Sequence, residues 1–259
     1  MNIWKRAAQW AGLFCRRVKG LSFLGRLCNR LVILGTGALV RIESTSPASV
    51  LPKRVLFAAN HSSAADGFLI PCFLMSWSGH VISFFIHWMY KYIPFVGWIM
   101  GLIDPVWVYN RGTKFKWIAV YKKTERDNPV EEAMKKMERG NSIGIFPEGT
   151  RNKDPEKLLR GRLGTGELVL ATGVEVVPVG IDFPARIKNG KIPRLGRTVI
   201  RIGAPISFEA EARERERLLS DTSLPERERR MKLIELFGRV TNQVMQAIST
   251  LCGRRYEYT

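Results

Sequence analysis

The sequence predicts an α/β fold, with a central and largely parallel sheet flanked by helices and amphipathic helices ahead of it. Three observations predict it. Short apolar runs, "RVLFAAN" (54–60), "HVISFFI" (80–86), "SIGIF" (142–146), "VEVVPVGIDF" (174–183) and "TVIRIGAPI" (198–206), alternate with segments of helical pattern, as they do where crossover helices join parallel strands. A length of 259 residues, 46% of them hydrophobic, is enough to bury a full core and excludes a disordered tail. Polar residues suited to chemistry directly follow two of the strands, His61 after the first and Glu148 after the third, and the carboxyl ends of strands are where such sheets gather their sites.

Residues 1–42 read as N-terminal amphipathic, membrane-associating helices. Eight lysines and arginines (Lys5, Arg6, Arg16, Arg17, Lys19, Arg26, Arg30 and Arg41) precede the first acid, Glu43. Ile3, Ala7, Trp10, Phe14, Val18, Leu21, Leu24, Cys28 and Leu31 recur at steps of three and four, mostly on one helical face with the basic residues opposite. Gly20 and Ser22 divide the run into two helices. A basic amphipathic helix with tryptophans at its start suits an anionic membrane interface, where each charge is worth about 1 kcal/mol. The alternative is that the apolar face packs on the rest of the chain.

Residues 43–259 read as one α/β domain closed by helices. The polar link "ESTSPAS" (43–49) leads to the strand at 54–60. No charged residue occurs from Gly67 to Tyr90, a length that could cross a bilayer. Pro71, Gly79 and several serines and histidines interrupt it, so a buried helix and then a buried strand fit better, with part of the surface facing lipid; a transmembrane span is the alternative. "DPVWVYNRG" (104–112) is a short strand ending at Asn110 and Arg111, and "NPVEEAMKKMERG" (128–140) and "TGELVLATG" (165–173) are helices. Near the end "EAEARERERLL" (209–219) is a solvated helix, and Met231, Ile234, Phe237, Val240, Val244, Ile248 and Leu251 form a packing stripe.

The net charge of +18 calls for an anionic partner: nucleic acid, lipid surface or phosphorylated substrate. No zinc-finger spacing, RNA-recognition motif or P-loop is present, and the N-terminal basic residues lie opposite an apolar face, so no nucleic-acid partner is expected. Cys15, Cys28, Cys72 and Cys252 are scattered. They read as small hydrophobes in a reducing compartment, with neither a disulfide framework nor a metal site expected.

His61 and Asp66 are separated by "SSAA". Five residues is the wrong spacing for one helix face. A helix capped by Ser62 or Ser63 would leave His61 just ahead of it. Asp66 could then curl back onto one imidazole nitrogen, fixing the tautomer and leaving the other nitrogen as a base. By itself this pattern is weak. "FPEGTR" (146–151) adds to it, because proline and glycine force a turn after a strand that displays Glu148, Thr150 and Arg151 at the same sheet edge.

Together, N-H-x-x-x-x-D and F-P-E-G-T-R resemble the signature blocks of the glycerolipid acyltransferases, most of all the 1-acylglycerol-3-phosphate O-acyltransferases, over roughly residues 50–205. Weaker blocks agree in part: Gly101 and Arg111 flank a short strand, with Asn110 where that family has an acid, and Pro178 ends an apolar strand. "RGRLGTGE" (160–167) replaces the usual lysine–glycine pair. The resemblance implies that His61 deprotonates an acceptor hydroxyl, that Asp66 orients His61, and that the hydroxyl attacks the thioester of acyl-CoA or acyl carrier protein. No covalent acyl-enzyme is implied, in keeping with the lack of a G-x-S-x-G elbow. Backbone N–H groups near the helix start would hold the oxyanion. Arg111, Glu148, Gly149, Thr150 and Arg151 would bind the glycerol-phosphate head, for which guanidinium groups are suited. Phe68, Leu69, Phe73, Trp77, Phe84 and Phe85 are candidates for an acyl groove, or else ordinary core; His80 and His87 read as structural.

The expected activity is acyl transfer to a lysophospholipid, foremost lysophosphatidic acid to phosphatidic acid, with no cofactor beyond the acyl donor. Alternatives are another acceptor (glycerol 3-phosphate, a lyso-ornithine lipid or another lysolipid) or a non-catalytic membrane-surface protein. The expected partners are an anionic bilayer, the lysophospholipid and the acyl donor. They imply a membrane-associated protein on the cytoplasmic face of the inner or cell membrane.

Overall fold

A computed structural model describes residues 3–52, 54–63, 65–109, 128–183 and 197–258. In chain order its elements are α1 (Ile3–Cys15), α2 (Phe23–Thr36), β1 (Val40–Ser44), β2 (Leu56–Ala59), α3 (Asp66–Ser78), β3 (Ile82–His87), α4 (Val96–Gly101), β4 (Val106–Val108), α5 (Pro129–Glu138), β5 (Ser142–Ile145), α6 (Gly164–Thr172), β6 (Val176–Asp182), β7 (Thr198–Ile202), α7 (Glu209–Ser220) and α8 (Glu226–Cys252). They fall into two compact units. The first comprises Met1–Arg41 and Ala65–Gly144, the second Ile42–Ala64 and Ile145–Thr259.

In the first unit the strands lie in the order β5-β3-β4 and all are parallel, with Phe84 opposite Gly144 and Phe85 opposite Val106. Helices α3, α4 and α5 intervene along the chain, the α/β pattern the sequence predicts. The charge-free stretch becomes α3 and β3, and no helix among the described residues is long and apolar enough to cross a membrane. At the amino ends of these strands Lys136, 5% exposed, pairs with Asp104, while Asn141 Nδ2 donates to Asp104 at 2.7 Å and to Ser83 at 3.0 Å. A lysine this deeply buried is tolerable because it is paired. Asn110 and Arg111, expected at the end of the β4 segment, lie outside the described residues.

The N-terminal pair breaks where the sequence indicates. Ser22 caps α2, its Oγ accepting the Gly25 N–H at 3.0 Å, and Trp10 Nε1–H ties α1 to the Ile33 carbonyl at 2.9 Å. Helix α2 buries Gly25, Asn29 and Ile33 but turns several large apolar side chains outward. Asn29 is buried and donates to Ser76 Oγ at 2.7 Å, whereas Phe23, Leu27 and Leu31 are exposed to 72%, 46% and 59%.

In the second unit the strand order is β1-β7-β6-β2. Strand β2 runs parallel to β6 with Ala59 opposite Val179, and β7 runs antiparallel to β6 with Val179 opposite Ile202. The long helix α8 buries Leu236, Val240, Val244 and Ile248, and at Gly180 of β6 any Cβ would come within 2.5 Å of the Leu251–Cys252 backbone. The expected packing stripe is shorter than its pattern: Met231 and Ile234 are exposed. Helix α7, which packs against α8, buries none of its own twelve residues.

Candidate functional site

The site is built on the carboxyl end of β2. One residue past the strand, the fully buried Asn60 extends the ladder with its side chain. Its Nδ2 donates to the Ile181 carbonyl at 2.9 Å, and its Oδ1 accepts the Ile181 N–H at 2.6 Å. An asparagine side chain carries both a donor and an acceptor, so it satisfies two buried main-chain groups of β6 after β2 has stopped pairing. The chain is thereby fixed one residue before His61.

His61 is held by its backbone. Its N–H donates to Glu148 Oε1 at 3.0 Å, and its carbonyl accepts the Asn152 N–H at 2.7 Å. The imidazole stacks on Phe146, with ring centroids 4.3 Å apart and planes at 21°. Both anchors come from the segment after β5. There Phe146-Pro147-Glu148-Gly149 forms the turn the sequence predicts, closed by Gly149 N–H to the Phe146 carbonyl at 2.9 Å. Gly149 has φ of +62°, a conformation that glycine adopts without cost.

The second carboxylate oxygen of Glu148 accepts the Leu159 N–H at 2.9 Å, and the residue is 1% exposed. Burial pushes its carboxyl up from the ordinary value, opposed by the His61 and Leu159 N–H groups, the Asn152 side chain and the charge of Arg254. Each Glu148 oxygen thus accepts one main-chain N–H, an arrangement that ties the turn to the His61 and Leu159 segments. Gly149, Thr150 and Arg151 of the same motif are exposed.

Asp66 is buried and opens α3 in the first unit, where an acid suits the positive end of the helix. The helix does not start at Ser62 or Ser63 as expected. Ala65 precedes it, its carbonyl accepting from Leu69 at 2.8 Å, and both serines are themselves buried. Of the groove candidates, all in the first unit, Phe73 and Phe84 are fully buried, while Phe68, Leu69, Trp77 and Phe85 are half-buried. Arg111 lies outside the described residues. His80 is exposed, and His87 Nδ1 accepts the Met89 N–H at 3.2 Å, closing a short turn. Among the described residues no three His, Cys, Asp or Glu side chains cluster as a metal site requires.

Asn60 is the first residue of the N-H-x-x-x-x-D block, whereas two further contributors carry no motif signal. Asn152 directly follows the F-P-E-G-T-R block and is seen only through its N–H to the His61 carbonyl. Arg254, immediately after α8 and 3% exposed, acts on Glu148 from more than a hundred residues away.

Comparison with known proteins places the chain in a family. Residues 40–182, more than half of the chain, match the family model described as Acyltransferase. A 1-acyl-sn-glycerol-3-phosphate acyltransferase of Borreliella burgdorferi is 29% identical over 162 residues, which make up 61% of this chain and 58% of the relative. The chain thus aligns with less than two thirds of that relative's length. The crystal structure of the 1-acyl-sn-glycerophosphate (LPA) acyltransferase from Thermotoga maritima superposes with a TM-score of 0.50 at 18% identity. That match covers 86% of this chain and 80% of the other, a likeness of fold.

Proposed function

The chain belongs to the Acyltransferase family, and on that premise we propose that it transfers a fatty acyl group from an acyl thioester to the free hydroxyl of lysophosphatidic acid, giving phosphatidic acid. The relative from Borreliella burgdorferi bears the name of that activity. The single observation that carries the reading is the fastening of His61 to the F-P-E-G-T-R turn, through Glu148 Oε1 on one side and Asn152 N–H on the other. A general base must be held within hydrogen-bond reach of the proton it removes. Main-chain anchors fix the backbone of His61 without using its ring nitrogens.

In the proposed reaction the His61 imidazole takes the hydroxyl proton as the oxygen attacks the thioester carbonyl. The tetrahedral oxyanion collapses, the C–S bond breaks, and the thiolate leaves and is reprotonated. Asp66 orients the imidazole. The exposed Thr150 and Arg151, with Arg111, bind the acceptor phosphate, where a guanidinium can bond two oxygens at once. The half-buried Phe68, Leu69, Trp77 and Phe85 line the path of the acyl chain, with Phe73 and Phe84 behind them.

The acceptor is a membrane lipid, and the proposal includes peripheral attachment through the first unit. Trp4 and, on α2, Phe23, Leu27 and Leu31 expose large apolar groups on a segment rich in lysine and arginine, the composition of an interfacial anchor, and Phe95 and Trp98 expose two more from an uncharged stretch. The test of the acceptor is a panel in which the purified full chain meets acyl-CoA or acyl carrier protein with lysophosphatidic acid, glycerol 3-phosphate or a zwitterionic lysolipid. Phosphatidic acid should form fastest. Faster acylation of another acceptor, or silence across the panel, overturns the proposal.

A further inference from the structure

We propose that Tyr256 is a positioning residue for the transfer reaction: its hydroxyl, held by Asn242 of α8, fastens the 156–162 segment that seats Glu148 and, through Glu148, the backbone of His61. The proposal rests on the reading of His61 as the base. Tyr256 lies outside every motif, and its hydroxyl bonds in two directions. It donates to Asn242 Oδ1 at 2.7 Å and accepts the Gly161 N–H at 3.4 Å. Burial pushes the phenol up from its ordinary value, so it keeps the proton that it donates to Asn242.

The hydrogen bonds trace how a C-terminal residue reaches the motif. As the tail leaves α8, Ser249 Oγ donates to the Arg254 carbonyl at 2.5 Å. The tail then runs parallel to the segment that follows the F-P-E-G-T-R turn. Arg255 N–H donates to the Glu156 carbonyl at 2.8 Å, and Leu158 N–H donates to the Arg255 carbonyl at 2.9 Å. Leu159 N–H donates to Glu148 Oε2 at 2.9 Å. Gly161 N–H goes to Tyr256, and Arg162 N–H to the Pro147 carbonyl at 2.9 Å. Residues 158, 159, 161 and 162 thus give their N–H groups alternately to the tail and to the turn. The segment is a rail between the two, and Glu148 carries its position on to the His61 N–H at 3.0 Å.

Other side-chain contacts of the tail lie in water. Lys157 pairs with Glu257 at 3.0 Å, and Arg255 pairs with Glu156 at 3.5 Å and with Glu257 at 3.7 Å. All four side chains are exposed, and ion pairs of this kind contribute little. The Tyr256 hydroxyl reaches inward to α8 instead. At Gly161 any Cβ would come within 2.5 Å of Thr241 Cγ2, so the rail lies directly against that helix. Asn242, the next residue, supplies the oxygen that orients the Tyr256 hydroxyl toward the Gly161 N–H.

The test uses the full chain and the variants Tyr256→Phe, Asn242→Ala and Glu257→Gln. It combines thermal melting, transfer from acyl-CoA to lysophosphatidic acid, and amide hydrogen exchange of peptides covering 58–63 and 155–163. Tyr256→Phe keeps the ring and loses only the hydroxyl. It should lower kcat about threefold to tenfold, the size of one lost hydrogen bond, while acceptor KM holds, as when an interaction acts at the reacting step. Exchange should quicken in both peptides, so that the change reaches His61, while Tm falls by no more than about 4 °C. Asn242→Ala should reproduce this pattern, and combining it with Tyr256→Phe should cost little more than either change alone. Glu257→Gln should leave every reading unchanged. Quickened exchange confined to 155–163, an unchanged kcat in Tyr256→Phe, or a Glu257→Gln protein as impaired as Tyr256→Phe would overturn the proposal. A His61→Ala control that retained activity would remove the base reading alone, since exchange is read without substrate and still decides whether Tyr256 holds the His61 backbone.

Discussion

Replacing Asn60 with alanine should destabilise the second unit and disable the site together. Asn60 is fully buried and makes two hydrogen bonds, of 2.9 and 2.6 Å, to the Ile181 carbonyl and N–H. Alanine leaves both main-chain groups unpaired in the core, and each orphaned group costs about 1–3 kcal/mol. The sum is about 2–6 kcal/mol, and its mid-range of about 4 kcal/mol corresponds to roughly 8–16 °C in Tm for a chain of this size. Because His61 is the next residue, kcat should also fall while acceptor KM holds. Asn60→Asp is the sharper probe: it keeps the acceptor for Ile181 N–H but sets an oxygen against the Ile181 carbonyl, so its penalty should grow as pH rises through the carboxylate range. Thermal unfolding followed by circular dichroism, with steady-state transfer rates, reads both effects. An Asn60→Ala protein melting within about 2 °C of wild type would refute the clamp, since it corresponds to less than about 1 kcal/mol.

Other perturbations test the remaining parts. Gly149→Ala, at a φ of +62°, should cost about 1–2 kcal/mol from backbone strain alone, read as a lower urea midpoint with unchanged slope; no change would mean that the turn is relaxed. Burial raises the folded Glu148 carboxyl above its unfolded value, so the stability it contributes is present at low pH and lost as pH climbs through the folded value. The Tm of Glu148→Gln relative to wild type should therefore rise with pH from the carboxylate range upward, and a fall would mean that hydrogen bonds and Arg254 outweigh burial. Replacing Phe23, Leu27 and Leu31 with serine should leave Tm nearly unchanged, because all three are exposed. It should weaken sedimentation with anionic vesicles about tenfold or more, since the loss of buried apolar area governs interfacial binding; undiminished binding would remove α2 from the membrane contact.

Local signals made much of the fold legible. The break between α1 and α2 around Gly20 and Ser22, the proline–glycine turn at 146–149 and the alternation of apolar runs with helical patterns each depend on neighbouring residues, and each is present. Where the reading failed, longer-range packing decided. Ser62 and Ser63 have good capping chemistry, yet they are drawn into the interior and α3 starts at Asp66. Met231 and Ile234 continue a helical stripe, yet the fold leaves both exposed and buries the stripe only from Leu236 on. The hydrogen bonds of Glu148 could not be read because its two partners, His61 and Leu159, are brought together only by the fold. Arg254 was hidden more completely, being one arginine among many in a basic chain, with no motif around it.

The most direct test of the central claim is acyl transfer by purified wild-type and His61→Ala proteins, with labelled acyl-CoA and lysophosphatidic acid in mixed micelles and matched melting curves. Losing a general base costs about 10²–10⁴ in rate, so wild type should form phosphatidic acid and the alanine variant should fall by at least about 10² at unchanged Tm. A folded His61→Ala protein working at close to the wild-type rate would contradict the account.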